Sequence, residues 1–260
     1  RIYNRETDRL DWKFPDALRD PIKAQQAGER VQNGEMFVTS GDNSKRMAVG
    51  ELAQDYENRL TNAIVGVTRR DRPRVYFLTG HGEVSYIPQT SRSSPDRQAS
   101  SLAAFRKLLN ERGIETSPLE LARLGYIPED ATLVVMAGPK SDILHAETLA
   151  LREYLAGGGK FLLLLNTMSG SYTKGFEQLG GMLREYGVGI TRSWIVDGFS
   201  VNQGLSPIKP LLMGFSPDHP VTRDLATLDT QRFPLNNPSR VLTVDEDRHP
   251  QWVVTTLATS

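Results

Sequence analysis

The sequence predicts an α/β domain built on a parallel sheet, and three observations carry that reading. Short, mostly apolar runs at Val75–Leu78, Thr132–Ala137 and Lys160–Leu165 are bounded by glycine or proline, as suits strands buried on both faces. Stretches with helical spacing of apolar residues separate them, the alternation expected of such a sheet. Glycines follow the helical stretches at Gly113, Gly157–Gly159 and Gly187, where a helix end favours them.

Taken in order, residues 1–50 are polar and broken. Pro15–Ala27 predicts a short helix, with Asp16 or Pro15 at its start and Gly28 past its end. Glu35–Thr39 and Arg46–Val49 predict two strands joined by the turn residues Ser40-Gly41-Asp42-Asn43. This small α+β portion has too few apolar residues for a strong core of its own. The expected division is therefore residues 1–50 and residues 51–260.

From Gly50 the pattern changes. Leu52, Tyr56, Leu60, Ala63, Ile64 and Val67 follow helical spacing, so 51–68 predicts an amphipathic helix. The basic run Arg69-Arg70-Asp71-Arg72 closes it, and cations at a helix C-terminus explain it better than phosphate binding does. After the strand Val75–Leu78, residues Val84–Arg97 have no periodicity and predict a long surface loop. Ser100–Arg112 follows as a helix with Leu102, Phe105, Leu108 and Leu109 on one face, and Ile114–Leu121 as a strand. Ser141 is the expected cap of a helix running to Leu155, with Leu144, Thr148, Leu151, Tyr154 and Leu155 inward. Gly175–Tyr186 predicts the next helix, with Phe176, Leu179, Met182 and Leu183 inward. Further on, Ile190–Val196, Arg240–Val244 and Gln251–Ala258 read as strands, separated by proline-rich irregular chain.

Composition narrows the function classes. Lys plus Arg equals Asp plus Glu, 31 against 31, so no net field favours nucleic acid or an anionic membrane surface. The chain has no cysteine, which removes disulfides, thiolate nucleophiles and zinc–thiolate sites together. The longest purely apolar run, Phe161–Leu165, falls far below the roughly 20 residues of a membrane-spanning helix. The chain lacks an initiating methionine and a signal-peptide pattern, and the expectation is an excised soluble piece of something longer.

In open α/β sheets, ligands are met just beyond the carboxyl ends of the strands. Three such ends should line one edge: Thr79-Gly80-His81-Gly82-Glu83, Gly138-Pro139-Lys140 and Asn166-Thr167-Met168-Ser169. The candidate ligand- or partner-binding residues are accordingly Thr79, Gly80, His81, Gly82, Glu83, Gly138, Pro139 and Asn166. Any parallel sheet offers such an edge, used or not. A phosphate loop needs glycines between a strand and a helix, whereas a long loop follows Thr79-Gly80-His81-Gly82. Gly157-Gly158-Gly159-Lys160 lies between helix and strand, the reverse order. His81, His145, His219 and His249 are scattered, and His81 with Glu83 supplies two donors where zinc sites use three or four. No Gly-x-Ser-x-Gly elbow follows a strand, and Ser169 has no identifiable base. No catalytic residue, metal or cofactor is expected.

Leu60-Thr61-Asn62-Ala63-Ile64 and Val75-Tyr76-Phe77-Leu78-Thr79-Gly80-His81-Gly82-Glu83 resemble the GldG-like family of ABC-transporter auxiliary proteins, named for bacterial gliding motility. Further similarity lies in Ile127-Pro128-Glu129-Asp130-Ala131, Ala137-Gly138-Pro139, Glu147 with Tyr154-Leu155, Gly157-Gly158-Gly159-Lys160-Phe161-Leu162-Leu163 and His219-Pro220-Val221. It covers roughly residues 35–260, with the Thr-Gly-His-Gly-Glu core its most specific piece. The resemblance implies a three-layer Rossmann-like, flavodoxin-like or class I glutamine-amidotransferase-like sheet without amidotransferase chemistry, which the missing cysteine nucleophile fits. It also implies an extracytoplasmic (periplasmic) domain, membrane-anchored through segments outside this chain, that accompanies an ABC permease and ATPase. A related domain in a eukaryotic intraflagellar-transport subunit works as an interaction module. Asn166 departs from the pattern, standing where an acidic residue is expected.

The expectation is thus a non-enzymatic recognition or assembly domain, with no nucleic-acid partner and self-association left open. Two rivals stand beside it. A hydrolase or carbohydrate-modifying enzyme would use His81 and Glu83 as acid and base, in a deep pocket with a raised carboxylate pKa. A purely structural module would keep Gly80 and Gly82 for a tight turn and His81 to satisfy local amides.

Overall fold

A computed structural model of the chain describes residues 9–12, 35–48, 56–69, 73–87, 102–165, 176–208, 210–212, 214–227, 233–234, 240–245 and 253–259. The chain divides into two compact units, residues 1–72 with 108–114, and residues 73–107 with 115–260. Among the described residues no helix is long and apolar enough to cross a membrane. The expected helix at Pro15–Ala27 lies outside the described residues.

In the first unit, β1 (Glu35–Ser40) and β2 (Asn43–Ala48) form an antiparallel hairpin in register from Glu35 opposite Ala48 to Ser40 opposite Asn43. The turn is two residues, Gly41-Asp42, and Gly41 takes the left-handed φ of 57° that such a turn demands. Helix α1 (Tyr56–Thr68) packs on the hairpin and buries Leu60, Ala63 and Val67, one stripe at helical spacing. Its Gly66 permits a close backbone approach, since a Cβ on Gly113 would fall 2.9 Å from the Gly66 Cα.

The second unit is built on a four-stranded parallel sheet. Its strands are β3 (Arg74–Leu78), β4 (Glu115–Leu119), β5 (Ala131–Ala137) and β6 (Phe161–Leu164), in the spatial order β4-β3-β5-β6. Chain order therefore reverses at β3, which has β4 on one side and β5 on the other. This mixed α/β arrangement is consistent with a Rossmann-like layout.

Strand alternation sends two sets of side chains to opposite faces. Tyr76, Leu78, Val134 and Met136 join Leu151 of α4 (His145–Ala156) with Leu179 and Met182 of α5 (Glu177–Glu185) in one core cluster. Phe77, from the alternate set, meets Phe105 of α2 (Ala103–Glu111) edge-on at 6.2 Å. Short α3 (Leu121–Leu124) follows β4 and ends at Gly125, whose φ is 76°.

Helix α4 starts later than expected, and Ser141 is not its cap. The backbone N–H groups of Lys140 and Ser141 both donate to the His81 carbonyl, so this stretch after β5 is tied to the turn after β3. The helix begins at His145 instead, with Leu144 at the cap position.

Beyond α5, β7 (Val188–Trp194) pairs antiparallel with β11 (Arg240–Val244). Helix α6 (Gly198–Asn202), β8 (Leu211–Leu212), β9 (Gly214–Phe215), α7 (Arg223–Ala226) and β10 (Phe233–Pro234) are all short. Of the expected strand Gln251–Ala258, residues 251 and 252 lie outside the described residues. Residues 253–257 are irregular, and only β12 (Ala258–Thr259) pairs, with β9. Strand character depends on a partner, and among the described residues only that last pair has one.

Candidate functional site

The chain after β3 turns on two glycines with positive φ, Gly80 at 123° and Gly82 at 75°. Gly82 has a second constraint, because a Cβ there would meet the Lys140 side chain at 3.1 Å. Thr79 ties the start of the turn to the end of β4, donating from both its N–H and its Oγ1 to the Leu119 carbonyl. The Val84 N–H donates to the Ala137 carbonyl at 2.8 Å, tying the turn's exit to the end of β5. His81 is thereby carried over the point where β3 and β5 lie side by side.

There its ring is enclosed by two carboxylates. His81 Nδ1 lies 3.0 Å from Glu83 Oε1, and His81 Nε2 lies 2.9 Å from Glu147 Oε2. The side chains are nearly sealed, with exposures of 7 % for His81, 5 % for Glu83 and 1 % for Glu147. Glu83 also accepts the backbone N–H of its own turn, His81 N to Oε2 at 2.8 Å. Glu147 occupies the first turn of α4 and accepts the Leu144 N–H at 2.8 Å, half of a capping box that leucine cannot complete. A carboxylate there also suits the positive end of the helix.

A neutral imidazole donates from only one nitrogen, so two ionised carboxylates on the same ring call for the imidazolium. The hydrogen bond to Glu83 raises the His81 pKa above its ordinary value; burial pulls the other way, and the Glu147 charge adds to the rise. The Glu147 Oε1 is buried with no donor among the described residues.

Of the candidate residues, the structure brings Thr79, Gly80, His81, Gly82 and Glu83 into one turn. Gly138 and Pro139 follow β5, with the Gly138 N–H donating to the Leu164 carbonyl at 2.7 Å and Pro139 fully buried. Asn166 lies outside the described residues. The sequence reading did not count Glu147 among the site residues. Its signal was a carboxylate on the inward face of a helix, four residues before Leu151.

Asp142 was missed as well. Its Oδ2 accepts the Gln178 N–H at 2.7 Å and its Oδ1 the Leu179 N–H at 3.1 Å, capping α5 from another element. No local motif announces a cap supplied from 36 residues away.

The three groups point at one another. Among the described residues no set of three His, Cys, Asp or Glu side chains is arranged to hold a metal ion. Glu83, the base in the acid–base reading, is engaged by a backbone N–H and by the ring, and His81 has no ring nitrogen free for a substrate.

Residues 72–247 match the family described as an ABC-type uncharacterized transport system. No curated protein matches the chain. Among solved structures, the mmIFT52 N-terminal domain is similar at 18 % identity and a TM-score of 0.46, over 66 % of this chain and 73 % of that one.

Proposed function

The chain belongs to the ABC-type uncharacterized transport system family, which marks it as an auxiliary component of such a system, and from that premise we propose a non-enzymatic recognition and assembly domain. The observation that carries this reading is the enclosure of His81. Both ring nitrogens are held by internal carboxylates in a nearly sealed setting, so the strongest candidate for proton transfer serves to fix the turn. The clasp joins the turn after β3 to the first turn of α4 and gives the sheet's carboxyl edge one shape. A rigid edge suits recognition, because little ordering remains to be done on binding.

The finer assignments belong to the same reading. The sheet order, with the first strand between the second and third, is that of a flavodoxin-like sheet and supports that subclass. The Thr79–Glu83 turn supports the GldG-like branch. On that reading the domain lies on the extracytoplasmic side, is held to the membrane by segments outside this chain, and works beside an ABC permease and ATPase through the edge that includes Gly80 and Gly138.

Affinity purification of the full-length protein from its native membrane tests the proposal. Recovery of a permease and an ATPase, reduced by the charge-reversing substitution Lys140→Glu at the exposed end of the turn after β5, is the expected result. Recovery of the protein alone, together with hydrolytic turnover abolished by Glu83→Gln, contradicts it.

A further inference from the structure

A second feature of the larger unit is not explained by the clasp. Tyr86 is buried and lies parallel to Phe77, with ring centroids 4.8 Å apart and planes 4° from parallel. The start of the chain entering α2 is tied to the same loop, since the Leu102 N–H donates to the Ser85 carbonyl at 2.9 Å. This brings Arg106 to Tyr86, with its guanidinium carbon 5.5 Å from the ring centroid, within cation–π reach.

Arg46, Arg74, Arg123 and Arg152 each pair with a carboxylate of the chain. Arg106 is engaged by an aromatic ring instead, and among the described residues its buried Nε has no acceptor. A ring within cation–π distance and a buried Nε both restrict how the guanidinium can turn. Its terminal amino groups carry the planar fork that takes two oxygens of a carboxylate or phosphate at once. Less side-chain freedom is left to lose when an anion arrives. The loop that carries Tyr86 leaves the carboxyl end of β3, the edge at which open α/β sheets meet ligands.

We propose that Arg106, laid on Tyr86, is the receptor for one oxyanion group, a carboxylate or a phosphate, of a ligand of this domain. The site uses none of the clasp residues and stands whether or not the transport reading does.

The test follows the Arg106 Nε–Hε resonance of the folded chain by NMR during titration with inorganic phosphate and, separately, with acetate. Each is matched by sodium chloride at equal ionic strength. A saturable shift with phosphate or acetate that chloride does not reproduce is the expected result, and the more effective anion identifies the group. Arg106→Lys keeps the charge but loses the fork, and should weaken binding about tenfold or more, read on the Tyr86 backbone amide. Arg106→Gln should abolish it. A response that chloride reproduces, a linear response to both anions, or unchanged affinity in Arg106→Gln overturns the proposal.

Discussion

His81 Nε2 lies 2.9 Å from Glu147 Oε2, a bond that joins the turn after a central strand to the first turn of a helix 66 residues further along the chain. With Glu83 on the other ring nitrogen, it makes the imidazole the common anchor of β3, its turn and α4. Most of what the account predicts follows from removing or discharging one of these three groups.

Removing the cation should be costly. His81→Leu leaves two buried carboxylates facing each other, and breaking a buried ionic network in this way costs about 3 kcal/mol or more. Urea unfolding near neutral pH measures the loss. A cost below about 0.5 kcal/mol would mean that the ring makes no net contribution.

Glu147 separates charge from shape. Glu147→Gln keeps the volume and an amide oxygen that can accept the Leu144 N–H, and should cost less than Glu147→Leu, which leaves that N–H and the His81 Nε2 without an acceptor. The gap between the two variants should be about 1–3 kcal/mol, the size of a buried polar group left unpaired. Equal unfolding midpoints for the two would remove Glu147 from the clasp.

The pH dependence has a definite sign. The folded-state pKa of His81 is raised above its unfolded value of about 6.5. Its contribution is therefore fully present below the unfolded pKa and is lost as pH rises through the folded one. Stability of the wild type should decline across that window relative to His81→Gln, whose residue 81 does not titrate. A difference between the two proteins that stays flat from pH 6 upward to about 9 contradicts the linkage.

Asp142 should control the start of α5. Asp142→Ala removes the acceptor of the Gln178 and Leu179 N–H groups and should cost about 1–2 kcal/mol. Hydrogen exchange at those two amides checks it. Acceleration confined to the first turn of α5 is the expected pattern, and unchanged protection there removes the cap.

Local chemistry made much of this fold legible. The runs at Val75–Leu78 and Val134–Ala137 are buried on both faces of the sheet, and such apolar runs announce a strand without knowledge of partners. Leu60, Ala63 and Val67 announced α1 by spacing alone. The Thr79–Glu83 turn was legible as a strand end because glycines at 80 and 82 sit where positive φ is required.

What depended on distant partners was not legible. Ser141 has the chemistry of a cap, yet its backbone is taken by the His81 carbonyl, and Glu147 faces inward on its helix while nothing local names the histidine from another element that reaches it. The Gln251–Ala258 stretch has strand-like residues, but among the described residues of 253–259 only Ala258 and Thr259 find a pairing strand.

The ring of His81 tests the central claim most directly. In nitrogen-15 NMR of the folded chain at neutral pH, the account predicts a doubly protonated imidazolium, with slowly exchanging protons at both Nδ1 and Nε2. A neutral ring titrating near 6.5, with a nitrogen open to solvent, would instead leave His81 free for acid–base work and contradict the closed clasp.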